Sequence, residues 1–90
     1  MTFVYNNIQS TNMDFSVLVL YNLYSICRIF KMKPMSITAK LEEKSYRTTI
    51  KCENNAGRVS YYTYYLCLPA YEYVIRSIEE DFNIKAVLEP

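Results

Sequence analysis

The chain has 90 residues, of which 51% are apolar and 21% charged, with a formal net charge of +1. That is material for one compact domain spanning residues 1–90, and it is not the composition of a disordered chain. The near-neutral balance supplies no bulk attraction to nucleic acid or an acidic membrane, and a chain with no histidine and one glycine offers no imidazole base and no glycine-rich phosphate loop.

In chain order, Thr2 to Asn6 alternates as a short strand would, and the polar run Asn6 to Asn12 reads as a turn, so residues 1–12 form a short strand and an irregular arm. No basic region precedes the first apolar residues, which argues against a secretory signal. Asp14 stands at a helix N-cap position before the long apolar run Phe15 to Met32. The polar members of that run, Asn22, Ser25, Arg28 and Lys31, recur every three residues and mark one narrow stripe on a helix. Asn22, Ser25 and Arg28 interrupt any membrane span, and a helix over Phe15 to Phe30 is only about 24 Å long, short of the bilayer's hydrocarbon core. The reading is a nearly buried core helix, with Lys31 and Lys33 at its negative end and Pro34 as its stop.

Met35 to Leu41 and Tyr46 to Glu53 alternate cleanly. Paired as a hairpin they match Leu41 with Tyr46, Ala39 with Thr48, Ile37 with Ile50 and Met35 with Cys52, which gathers the apolar residues on one face. Glu43-Lys44 is a poor two-residue turn, so a four-residue loop, Glu42 to Ser45, is expected with the same pairing. Asn54 to Gly57 forms the next turn, leading into the tyrosine-rich strand Val59 to Cys67. A four-residue loop there places Val59, Tyr61, Thr63, Tyr65 and Cys67 inside and leaves Ser60, Tyr62, Tyr64 and Leu66 outside. A three-residue loop swaps the two sets. The first is preferred because it pairs Glu53 with Arg58 and seats β-branched Val59 in the core.

Pro69 suits a helix's first turn, and Tyr71, Val74, Ile75, Ile78 and Phe82 share one face of the helix that Asn83 ends. Ile84, Ala86 and Leu88 alternate into a last strand, which must return by a crossover and so runs parallel to its neighbour. The expected fold is α+β: a three-stranded antiparallel meander flanked by two helices, with short terminal strands, in the order (β)αβββαβ.

The helix–three-strand–helix order from Asp14 to Asn83 resembles the topology of a double-stranded-RNA-binding domain. That family's basic cluster at the start of its last helix has no counterpart in Pro69-Ala70-Tyr71-Glu72. The resemblance is one of topology alone.

Cys27, Cys52 and Cys67 are odd in number and lack CxxC spacing, which indicates reduced, mostly buried thiols and a cytoplasmic protein. The acidic run Glu79-Glu80-Asp81 reads as a solvated helix end, and no cofactor or metal is expected. On the preferred register Arg47, Thr49, Lys51, Tyr62 and Tyr64 share the outer sheet face, with Arg58 at its end. Tyrosine and arginine are over-represented where proteins bind one another. The expected function is therefore non-enzymatic binding of another protein by a small accessory or inhibitory factor. The excess of Tyr, Asn, Ile and Lys, all with A/T-rich codons, fits a phage, viral or mobile-element gene and a host target in the host cytoplasm. RNA or DNA binding is the first alternative, self-association into a homodimer the second, and membrane association is not expected.

Overall fold

The elements follow one another as β1 (Thr2–Ser10), α1 (Met13–Ile29), β2 (Met32–Glu42), β3 (Ser45–Asn54), β4 (Val59–Leu66), α2 (Leu68–Phe82) and β5 (Ala86–Glu89). The computed structural model describes residues 2–10 and 13–90, with side chains from residue 17 onward. The run from Asn6 expected as a turn is instead strand as far as Ser10, and the last two residues of that expected turn, 11 and 12, lie outside the described residues. Asp14 falls inside α1, whose first residue is Met13.

A five-stranded sheet runs in the order β1-β4-β3-β2-β5. The meander β2–β3–β4 is antiparallel, while β1 lies parallel to β4 and β5 parallel to β2. The α+β class and the parallel final strand follow the expectation from the sequence. Two crossovers build the architecture. β1–α1–β2 and β4–α2–β5 each step across two intervening strands in the same direction, so a common handedness lays both helices on one face of the sheet.

The core lies between that face and the helices. Ile37, Ile50, Cys52, Tyr62, Tyr64 and Leu66 of the sheet meet Val19, Leu20, Leu23 and Cys27 of α1 and Ala70, Val74, Ile75 and Ile78 of α2. At the edges of this layer Tyr46 stacks on Tyr71 with ring centres 4.5 Å apart. Tyr24 meets Phe82 edge-on at 5.8 Å. Its hydroxyl also donates to Asp81 Oδ2 at 2.6 Å, which ties α1 to the end of α2.

The first hairpin pairs Leu41 with Tyr46, Ala39 with Thr48 and Ile37 with Ile50, as the alternation predicts. Two details differ. The loop is the two-residue Glu43-Lys44, with Glu42 opposite Ser45 and Glu43 in the left-handed region at φ 54°. At the other end Cys52 faces Pro34 rather than Met35, because the register shifts between Pro34 and Ser36. Pro34 is fully buried within β2, not a helix stop. A proline with no N–H to donate is tolerated beside a bulge, and β5 begins pairing with β2 only at Ile37, so β2 is still an edge strand at Pro34. The helix instead ends at Ile29, and Lys31, at φ 56°, turns the chain straight into β2. Lys31 and Lys33 therefore lie beyond α1, and Arg28 is the cation of its last turn.

A further correction concerns α1. It is not nearly buried: Val17, Leu18, Tyr21 and Ile29 are exposed opposite the face that holds Val19, Leu23 and Cys27. A chain of this length builds one layer of helices over one sheet, and nothing among the described residues covers the far side of that layer.

Candidate functional site

The position of every tyrosine on β4 follows from the turn before it. Asn54 Oδ1 accepts the backbone N–H groups of Ala56, at 3.0 Å, and Arg58, at 2.9 Å. The Gly57 N–H donates to the Asn54 carbonyl at 3.0 Å, and the Asn54 N–H donates to the Arg58 carbonyl at 3.0 Å. Asn54 therefore pairs with Arg58, and the loop is Asn55-Ala56-Gly57, with Gly57 at φ 84°. This is the three-residue hairpin in which the last loop residue must be left-handed, a conformation glycine adopts without steric cost.

That loop reverses the preferred register. Glu53 lies opposite Val59, Lys51 opposite Tyr61, Ile50 opposite Tyr62 and Thr48 opposite Tyr64. Tyr62 is 2% exposed and Tyr64 1%; both stand in the core beneath the helices, and the Tyr62 hydroxyl donates to Met32 Sδ at 3.5 Å. The expectation that Tyr62 and Tyr64 share the outer face is thus overturned, as is the placement of Val59, Tyr61 and Tyr65 inside; Thr63 is buried as expected, at 8% exposed, but on the side of the sheet away from the helices. Period-2 alternation means that one residue of loop length moves the whole set across the sheet.

Of the other expected site residues, Arg47, Thr49 and Lys51 do lie on the face away from the helices, since their neighbours Thr48, Ile50 and Cys52 are buried on the other. Arg58 does not join them. Exposed at the turn, it lines a cleft of about 480 Å³ with Phe30, Met32 and Tyr62 at the end of the helix–sheet layer.

On the outer face the register sets side chains in rows. Lys40, Arg47 and Tyr65 form one row, Thr38, Thr49 and Thr63 the next, and Ser36, Lys51 and Tyr61 the third. On β5, Glu89 extends the first row beside Lys40 and Val87 the second beside Thr38. The threonine row is knit across β3 and β4 by a hydrogen bond between Thr49 Oγ1 and Thr63 Oγ1 at 3.2 Å. Each outer row thus sets a cation directly opposite a tyrosine. At about 3.3 Å per residue, the two cation–tyrosine pairs are about 13 Å apart.

Arg47 Nε stands 3.2 Å from Glu42 Oε1, with both side chains about two-fifths exposed, at 41% and 42%. The nitrogen is not aligned for a true hydrogen bond to that oxygen. An exposed pair of this kind contributes under about 1 kcal/mol and leaves Arg47 available for exchange to another carboxylate. Tyr61 is 41% exposed, and Ser36, Thr38 and Lys40 are exposed. Both helices pack on the opposite side, so among the described residues no element covers this face.

The acidic run of α2 has structural partners. Glu79 Oε2 accepts the Ala86 N–H at 2.8 Å, fixing the start of β5, and Asp81 accepts the Tyr24 hydroxyl. Among the described residues no three His, Cys, Asp or Glu side chains come together as a metal site. No helix among them is long and apolar enough to cross a membrane.

Sequence reasoning passed over Tyr61 and Tyr65 as face residues. The signal was present in Asn54 and Gly57, a side-chain acceptor at the start of the turn and a glycine at its third loop position. No known protein family matches this chain, nor does any curated protein or solved structure.

Proposed function

We propose that this is a small non-enzymatic binding protein that engages another protein through the open face of its sheet, centred on Arg47, Thr49, Lys51, Tyr61 and Tyr65. The observation that carries the reading is the arrangement of that face: two cation–tyrosine pairs about 13 Å apart on either side of a hydrogen-bonded threonine row. Each part suits recognition of a protein surface. Tyrosines bring large contact area with a polar tip and few rotatable bonds, and threonine hydroxyls both donate and accept. Arg47 and Lys51 favour a partner with carboxylates at matching spacing. The ladder already fixes the backbone beneath these residues, so docking costs only the rotamer freedom of the side chains themselves.

A partner of this kind fits an accessory or inhibitory factor acting by occupancy rather than by chemistry. The test is affinity capture from lysate with the wild-type chain and with a Tyr61→Ala/Tyr65→Ala double variant that melts as a folded protein. A partner retained by the wild type and lost by the double variant supports the reading; identical partner sets contradict it. Binding to single-stranded oligonucleotide that weakens steeply with salt would assign the same face to nucleic acid instead.

A further inference from the structure

We propose that the cleft at the end of the helix–sheet layer binds a small monocarboxylate with an apolar body, its carboxylate on Arg58 and its apolar group over Phe30, Met32 and Tyr62. The site is separate from the open sheet face, since Ser60 and Tyr62 stand on the inner side of β4 while Tyr61 and Tyr65 stand on the outer.

The cleft forms because one layer of the fold stops before the other. α1 ends at Ile29, and the chain turns through Phe30 and Lys31 into β2. The inner face of the sheet continues beside that turn. Its last row is Met32, Asn54 and Arg58, since Met32 pairs with Asn54 and the Asn54 N–H donates to the Arg58 carbonyl at 3.0 Å. The row before it is Pro34, Cys52 and Ser60. That earlier row is buried throughout, whereas Met32 and Asn54 are half-buried and Arg58 is exposed. The uncovered end is an opening of about 480 Å³, within the range of small-molecule sites.

The groups around the opening select the ligand. Its floor is Tyr62, 2% exposed, whose hydroxyl donates to Met32 Sδ at 3.5 Å. Ser60, 5% exposed, adds a hydroxyl that can donate or accept. Phe30 at the lip is 58% exposed, an aromatic ring that a bound apolar group would remove from water. Among the described residues lining the cleft Arg58 carries the only charge. The Asn54 side-chain oxygen is already engaged by the N–H groups of Ala56 and Arg58.

A guanidinium presents a planar fork of N–H donors that matches the two oxygens of a carboxylate. One cation balances one negative charge, so a dianionic phosphate would stay half compensated, and a neutral molecule would make no use of the fork. Arg58 and Tyr62 are four residues apart, about 13 Å of strand. An aromatic ring joined to a carboxylate by a short alkyl chain is of the length to reach from one side chain toward the other.

The test titrates the full 15N-labelled chain with 4-phenylbutyrate and follows the amide resonances, with 4-phenylbutan-1-ol as the uncharged control and acetate as the control without an apolar body. Phenylbutyrate should shift Met32, Arg58, Ser60 and Tyr62 saturably, with a Kd in the millimolar range or tighter. The alcohol should bind about tenfold more weakly, the loss expected for one hydrogen-bonded charge, and acetate should leave these resonances unmoved. Arg58→Gln should weaken phenylbutyrate by the same factor and leave the alcohol's affinity unchanged, and Arg58→Lys should recover part of the loss. No saturable shift up to about 10 mM, equal affinity for acid and alcohol, shifts centred on Tyr61 and Tyr65, or an Arg58→Gln titration identical to the wild type's would overturn the proposal. The comparison of acid with alcohol is made on the wild-type chain, so it does not depend on a variant's stability.

Discussion

Truncating two adjacent tyrosines separates the two faces of β4. Tyr62→Ala empties a site that is 2% exposed, opposite Ile50 and within the core between sheet and helices. A buried aromatic cut to alanine costs about 3–5 kcal/mol from lost transfer energy and the residual cavity. Tyr61→Ala removes a ring that is 41% exposed and lies opposite Lys51. Its loss is confined to β propensity and one cross-strand pair, about 1 kcal/mol. The whole domain is stable by about 5–13 kcal/mol at typical values per residue, so Tyr62→Ala removes a large share and Tyr61→Ala little. In urea, with a slope of about 1–1.5 kcal/mol/M for so small a chain, the two midpoints should differ by about 1.3–4 M. Circular dichroism against urea gives both numbers. A Tyr61→Ala midpoint equal to or below that of Tyr62→Ala would mean that the register between β3 and β4 is the opposite one.

Three further outcomes follow from the geometry. Gly57→Ala meets no atom within 4 Å of its new Cβ, so its cost is the left-handed backbone alone, about 1–2 kcal/mol, and a Gly57→Asn variant should recover part of it in the same melt. Asn54→Ala removes the acceptor of two backbone N–H groups and should destabilise by about 1–2 kcal/mol; no change would show that water replaces it without loss. Burial, and then its hydrogen bond to Asp81, raise the pKa of Tyr24 well above the ordinary phenol value. The unfolded chain therefore releases this proton first, near pH 10. The contribution is complete below that pH and is lost as pH rises above it. Melting midpoints should fall above pH 10, and Tyr24→Phe should flatten that fall; an unchanged slope in Tyr24→Phe would rule out this residue as its source.

Much of the fold was legible because its signals are local. Alternation in Met35 to Leu41 and Tyr46 to Glu53 is enough to pair the first hairpin, and the spacing of Val74, Ile75 and Ile78 identifies the buried face of α2. What failed depended on single backbone conformations. Glu43 at φ 54° allows a two-residue turn that its side chain does not advertise, and Lys31 at φ 56° ends α1 before Pro34 can. The loop Asn55-Ala56-Gly57 decided the candidate site. Tyr61, Tyr62, Tyr64 and Tyr65 suit either face by composition, so only the turn distinguishes them, and preferring Val59 in the core chose the wrong set. The exposure of α1 was illegible for a different reason: an apolar helix shows which residues can be buried, not whether the chain has enough structure to cover them.

The open-face interface is tested most directly by placing a photo-crosslinking amino acid, p-benzoylphenylalanine, in turn at Tyr61, at Tyr65 and at Tyr73, which is exposed on α2. Irradiation in lysate should join the same protein to the chain from positions 61 and 65 and leave position 73 unlinked. A protein captured from position 73 but not from 61 or 65 would contradict the assignment and move the interface to the helical side.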